Sequence, residues 1–150
     1  MEIGGNKKMK DTAASLIDIF IDKAEECVVS SIGIDGHPQG ATVGFSVQED
    51  YKIVFGTFME SRKYKNLIKD GRISVTIGFS GTETIQYQGR ARVIEGEELE
   101  ARLQKHFKKI PEAKKYRGFP GQVYFVIEPT WIRYANLSGR PWTVKEINFS

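Results

Sequence analysis

The hydrophobic period of the chain shifts from helical to alternating and back several times. From Asp11 or Thr12, apolar residues recur at Ala13, Leu16, Ile17, Phe20 and Ala24, a spacing that predicts a helix with one buried stripe. Alternation then takes over. CVVSSIGI (27–34) predicts a strand, Asp35-Gly36 a tight turn, and ATVGFSV (41–47) the antiparallel partner. Along that partner Ala41, Val43, Phe45 and Val47 alternate with Thr42, Gly44 and Ser46, so one face is apolar and the other small and polar. A turn over 48–52 leads into a third strand that ends at Thr57; a short helix starts after Ser61 and closes at Asp70-Gly71. RISVTIGF (72–79) predicts a fourth strand and TIQYQGRARVI (84–94) a long fifth. The fifth carries Ile85, Tyr87, Gly89, Ala91 and Val93 on one side and Gln86, Gln88, Arg90 and Arg92 on the other. Gly89 in mid-strand predicts a bulge or a close backbone approach. EGEELEARLQKHF (95–107) predicts another helix, and QVYFVIE (122–128) and TWIRYAN (130–136) two final strands divided by Pro129. Six to seven closely spaced antiparallel strands with two or three outer helices predict a mainly β fold, a β-barrel with flanking helices.

Composition changes this picture little. Residues 1–10 read as a flexible, polar N-terminal arm, and 11–150 as one domain long enough to bury a core without covalent staples. A net charge of +3 admits anionic ligands, yet the basic residues are not interleaved with aromatics on one strand face, so nucleic acid is not an expected partner. The single cysteine, Cys27, excludes an internal disulfide and a cysteine-based zinc site within one chain, and reads as a small core residue. No apolar run is long enough to span a bilayer and MEIGGNKKMK has no apolar signal region, so a cytoplasmic location without membrane contact is expected. His37 and His106 lack the spacing of a metal pair, and no Ser/His/Asp or Cys/His set stands out. Trp131 and Tyr134 read as packing or dimer-interface residues.

One local feature runs against the usual rules. Ser61 suits a helix N-cap, but the first turn then carries Arg62 and Lys63 at the positive end of the helix dipole, where Asp or Glu is preferred. The helix over 95–107 obeys that preference with Glu97 and Glu98. Two readings of the basic pair stand: solvated surface, or a phosphate site made from first-turn amides, the Ser61 hydroxyl, an Arg fork and a Lys point charge, with Thr57 adding a second hydroxyl.

Thr57 through Lys63, as T-x-x-x-S-R-K, resembles the phosphate-binding motif of the FMN-binding split-barrel family of pyridoxamine 5'-phosphate oxidase-related proteins. So do the SIGIDGHP turn (31–38), the strand before the motif, the continuation through Asn66 and Leu67, QGRARVI before an acidic helix start, and the late strands hinged on Pro129. The resemblance spans about residues 12 to 136 and implies an antiparallel split barrel. It implies that Arg62 and Lys63 hold the phosphate of FMN with Ser61, Thr57 and the adjoining Gly56 beside them. Thr42, Val43 and Gly44 become neighbours of the flavin ring, where small residues allow close backbone approach. Gln88 is implied near the ring or at a dimer contact, and Trp142 at the ring edge or against a partner chain. The family also implies a homodimer with flavin pockets at its interface, and a small-molecule electron donor and acceptor. The oxidase itself carries cations where this chain has Ala41 and Ser46, a tryptophan at Ala135, and a substrate-gripping segment missing from NLSGRPW (136–142). The expected function is therefore an FMN-dependent oxidoreductase of the general stress protein or nitroreductase-like branch, and not a vitamin B6 oxidase. The alternatives are a deazaflavin-dependent reductase of the same fold and a non-catalytic flavin- or haem-binding protein.

Overall fold

The computed structural model describes residues 14–149. The N-terminal arm (1–10) and Ala13 lie outside the described residues. Helix α1 runs over 14–23 and buries Ile17 and Ile21, with Phe20 and Leu16 packed at the margin of the same core. The following strands are β1 (Glu26–Ile32), β2 (Pro38–Gly44), β3 (Ser46–Val47), β4 (Ile53–Phe58), β5 (Arg72–Ile77), β6 (Glu83–Val93), β7 (Gln122–Asn136) and β8 (Thr143–Asn148). Helix α2 (Arg62–Lys69) stands between β4 and β5, and α3 (Gly96–Lys109) follows β6.

All strand pairs are antiparallel, in the order β2-β1-β5-β6-β7-β4-β3, with β8 added on β7. β2 and β3 are consecutive in the chain yet sit at opposite ends of that order. Only Phe45 separates them, so the sheet has to curl until its two edges meet at this one residue, which is fully buried. The result is a split barrel. Its interior is filled by Phe45, Phe55, Tyr87, Phe125 and Tyr134 among branched aliphatics, and Phe55 and Phe125 stack with centroids 5.4 Å apart. A second apolar cluster of Val54, Ile94, Leu103, Tyr124 and Val126 lies where α3 covers the outside of β4 and β7.

The mainly β split-barrel fold is the one the sequence predicts, and the face assignment in β6 holds residue by residue: Ile85, Tyr87, Gly89 and Ala91 are buried and Gln86, Gln88, Arg90 and Arg92 exposed. Three details differ. The stretch 41–47 is not a single strand; its first part pairs with β1 and its last two residues with β4. QVYFVIE and TWIRYAN are one continuous strand through Pro129. The ladder with β6 shifts register between Gln88 and Gly89, so the proline, which has no N–H, falls where the pairing is already irregular. Finally, the tail forms β8, whose mostly exposed residues alternate too weakly to have predicted it.

Candidate functional site

The end of β4 and the start of α2 form one hydrogen-bonded corner. Ser61 has extended backbone and its Oγ accepts from the Tyr64 amide at 3.2 Å, so it is the N-cap that its position predicts. Thr57 Oγ1 lies 2.9 Å from Ser61 Oγ, bringing the two hydroxyls side by side. The helix is anchored from beneath by Asn66, which is buried and donates to Ser31 Oγ at 3.0 Å and Gln39 Oε1 at 2.9 Å. Leu67 is buried as well, so the turn bearing Arg62 and Lys63 is held in a fixed place against β1 and β2.

Among the described residues neither Arg62 nor Lys63 forms an ion pair. Asp35 feels Arg62 weakly, but its carboxylate is engaged by the His37 amide and ring. Lys63 is half-buried, and loss of solvent lowers its ammonium pKa from the usual value. Lys63 thus loses solvent at the positive end of the helix dipole with no ion-pair partner among the described residues.

Lys63 stands at the side of a cleft of about 310 Å³ where β2 and β4 face each other across the split. Thr42, Val43 and Gly44 line it from β2 and Gly56 and Thr57 from β4, so six of the ten residues singled out in the sequence share this wall. Arg62 borders an adjoining depression of about 390 Å³ with Ser31, Gln39, Gly40 and Ala41, and Lys63 separates the two. Ser61 joins the group through Thr57. Gln88 and Trp142 do not. Gln88 lies on the exposed face of β6, in a depression shared with Arg72, Arg90 and Thr130, and Trp142 is 56% exposed just before β8.

The two glycines differ in what they make room for. A Cβ on Gly56 would meet Gln122 Nε2 at 2.7 Å and the Tyr124 ring at 2.9 Å, so this glycine admits those side chains. A Cβ on Gly44 would meet the tip of Ile110 at 3.2 Å and, more loosely, the Glu25 carbonyl oxygen at 3.8 Å, so here the nearest neighbour is the flexible end of a side chain.

The far wall was not foreseen. It comes from the end of α3 and the start of β7: His106, Ile110, Gln122 and Tyr124, with Ala113 and Tyr116 from the 3-10 turns over Pro111–Tyr116. His106 is 2% exposed, and burial lowers its pKa to about 4, so it is neutral at pH 7. Gln122 Oε1 and Tyr124 OH are sealed from solvent, and the Gln122 amide lies beside the Tyr124 hydroxyl, within reach of a hydrogen bond. A signal for His106 did exist, because it occupies a core position in the Leu99, Leu103, His106, Ile110 stripe of α3. Gln122 and Tyr124 gave none, since they sit in an ordinary strand pattern.

Among the described residues no group of three or more His, Cys, Asp or Glu side chains is placed to hold a metal ion, and no helix is long and apolar enough to cross a membrane. Cys27 is buried, which pushes its thiol up to about 12.

Residues 15–136 match the family model described as pyridoxamine 5'-phosphate oxidase. No match is found among curated protein sequences. Solved structures share the fold at low identity. A heme binding protein from Mycobacterium smegmatis superposes with a TM-score of 0.73 at 18% identity, over 86% of this chain and 55% of that one, so this chain spans little more than half its length. General Stress Protein 26 from Bacillus anthracis gives 0.68 at 20% identity over 89% and 95% of the two chains. A pyridoxamine 5'-phosphate oxidase-related, FMN binding protein from Nostoc punctiforme gives 0.62 at 14% identity over 98% and 95%.

Proposed function

This chain belongs to the pyridoxamine 5'-phosphate oxidase family, and from that premise we propose that it is a flavoprotein that holds FMN in the β2–β4 cleft and serves as an oxidoreductase toward a small-molecule acceptor. The observation that carries the reading is Lys63: half-buried, without a carboxylate among the described residues, beside the Thr57 and Ser61 hydroxyls at the start of α2. The residues present fit the group. Arg62, Lys63, Ser61, Thr57 and the first-turn amides supply charge and donors for a phosphate. Thr42, Val43 and Gly44 give a low wall against which a flat ring can lie, and Gly44, having no side chain, lets the ring approach the backbone. Bound FMN supplies hydride and single-electron transfer; the protein supplies position, charge and exclusion of water.

The same reading has the protein as a homodimer: Gln88 and Trp142 do not line the cleft within one chain, and in a dimer they would come to it from the partner. Oxidation of a vitamin B6 phosphate is not part of the proposal. Ala41 offers no charge, and Ser46 is a buried hydroxyl bonded to His106 where that chemistry would want a cation.

Titration of the purified protein with FMN, followed by flavin fluorescence, tests the assignment. Replacing Arg62 and Lys63 together by Ala should weaken binding by about a hundredfold or more, two charge-assisted contacts being lost. Unchanged affinity in that double variant removes the phosphate assignment. Parallel titrations with a deazaflavin and with haem decide the ligand class; a tighter complex with either displaces FMN from the proposal.

A further inference from the structure

A depression of about 480 Å³, larger than the cleft beside Lys63, opens on the outer face of β1, β5 and β6. Its volume is in the range that takes a small ligand. Arg72 and Arg90 stand directly opposite each other across the β5–β6 ladder. Two residues along, on the same face, Ser74 stands opposite Gln88, and Ser30 of β1 continues that row opposite Ser74. The register shift between Gln88 and Gly89 falls at the border, where the Thr130 hydroxyl donates to the Gln88 carbonyl at 3.2 Å. The bulge bends β6 at this point.

Like charges directly opposite in a ladder repel, and the neighbouring carboxylates relieve only one of the two. Asp70 takes Arg72, accepting from Nε at 3.1 Å and from Nη2 at 2.7 Å. Those bonds hold the Asp70 carboxyl at about 2, with Arg90 a minor contributor. Glu128 is the register partner of Arg90 on β7, but it accepts instead from Arg92 Nε at 3.0 Å. Among the described residues Arg90 forms no ion pair. Two arginines against one aspartate leave the depression with one positive charge, among the Ser30 and Ser74 hydroxyls and the Gln88 amide. Ile32 and Pro38, paired across β1 and β2, give it an apolar border.

We infer that this face is a binding site for a small monocarboxylic acid. The Arg90 fork pairs with the carboxylate, the serine hydroxyls donate to it, and the apolar remainder of the acid rests on Ile32 and Pro38. A planar guanidinium matches a carboxylate with two parallel hydrogen bonds. The single surplus charge matches a monoanion and leaves a phosphate dianion half compensated. The site stands on this geometry alone, and only its use rests on the flavin reading: in the proposed homodimer Gln88 comes to the partner's cleft, so an acid held beside Gln88 would lie at that cleft.

Calorimetric titration of the protein with benzoate tests the site, with benzamide as the uncharged isostere. Benzoate should bind saturably, and benzamide about tenfold more weakly or worse. Arg90→Gln should weaken benzoate about tenfold or more, whereas Asp70→Asn, which frees Arg72, should tighten it. Absence of saturable benzoate binding overturns the inference, as does equal affinity for benzamide or an Arg90→Gln variant that binds benzoate like wild type. FMN titrations without benzoate separate this result from the flavin reading. Benzoate binding by a protein that does not bind FMN supports the acid site and removes the flavin reading. Weaker FMN binding in Arg90→Gln assigns the guanidinium to the cofactor and overturns the acid site. A lower mass of that variant in light scattering assigns Arg90 to a carboxylate of a second copy, and overturns it too.

Discussion

At Gly89 the backbone of β6 passes so close to β7 that a Cβ would stand 2.3 Å from the Glu128 carbonyl oxygen. No rotamer relieves a clash with a main-chain atom, so Gly89→Ala should cost more than about 2 kcal/mol, read as a lower urea midpoint at an unchanged slope. The bulge was legible in the sequence because a glycine inside an alternating strand marks a point where a side chain has no room. His106 was half legible: its place in the α3 stripe marked it as buried, but its hydrogen-bond relay comes from Ser46 and Gln48, far away in the chain. Its burial has a consequence for pH. The folded protein holds the ring neutral down to about pH 4, while the unfolded chain takes up a proton near 6.5, so the unfolded state binds more protons between these values. Stability should fall as pH drops from 6.5 to 4, by up to roughly 3 kcal/mol, and this loss should level off below 4. His106→Phe should flatten that part of the stability profile. The carboxylates contribute in a lower window: Glu98, held at about 2 by its bonds to Arg92 and Arg102, contributes above its unfolded pKa and loses that contribution as pH falls further.

On the proposed reading, helix α2 is folded for its ligand at some expense to itself. Its cap, Ser61, and its buried residues, Asn66 and Leu67, are what a stable short helix needs, whereas Arg62 and Lys63 oppose its dipole. Ser61→Asp separates the two demands. Aspartate caps as well as serine and adds the negative charge that the first turn lacks, so the ligand-free protein should gain about 0.5 kcal/mol in denaturant unfolding. The same carboxylate would occupy the space of a phosphate, and FMN affinity should drop by about tenfold or more. A variant that is stabilised yet binds FMN as tightly as wild type would show that the cations serve another purpose. The elements themselves were legible wherever one face meets the core, as in β6. They were misread where the period carries no information about pairing. Nothing in ATVGFSV says that its two ends belong to opposite edges of the sheet, and Pro129 reads as a break because the bulge that accommodates it is made jointly with β6. β8 was missed because its side chains are mostly exposed, and its order comes from the ladder with β7.

The curl of the sheet sets the place of the cleft. With β2 and β3 joined through Phe45, an unpaired frontage is left along β2 and β4, and α2 and α3 close its two ends. What one chain leaves outside is Trp142, a large exposed aromatic, and the polar outer face of β6 with Gln88. If two chains complete each pocket, Lys63 and Trp142 of one pocket come from different protomers. Lys63→Ala and Trp142→Ala should then each weaken FMN binding at every site of their own homodimers. Mixed chains behave differently, because in a heterodimer one pocket carries both substitutions and the other carries neither. After unfolding and refolding an equimolar mixture, half of the dimers are mixed, so about a quarter of all pockets should bind FMN with wild-type affinity. Were both residues supplied to each pocket by the same chain, every pocket in the mixture would hold one substitution, and no tight class of sites would emerge. A biphasic titration with a tight fraction near one quarter, alongside a dimer mass in light scattering, is the outcome expected of a shared pocket.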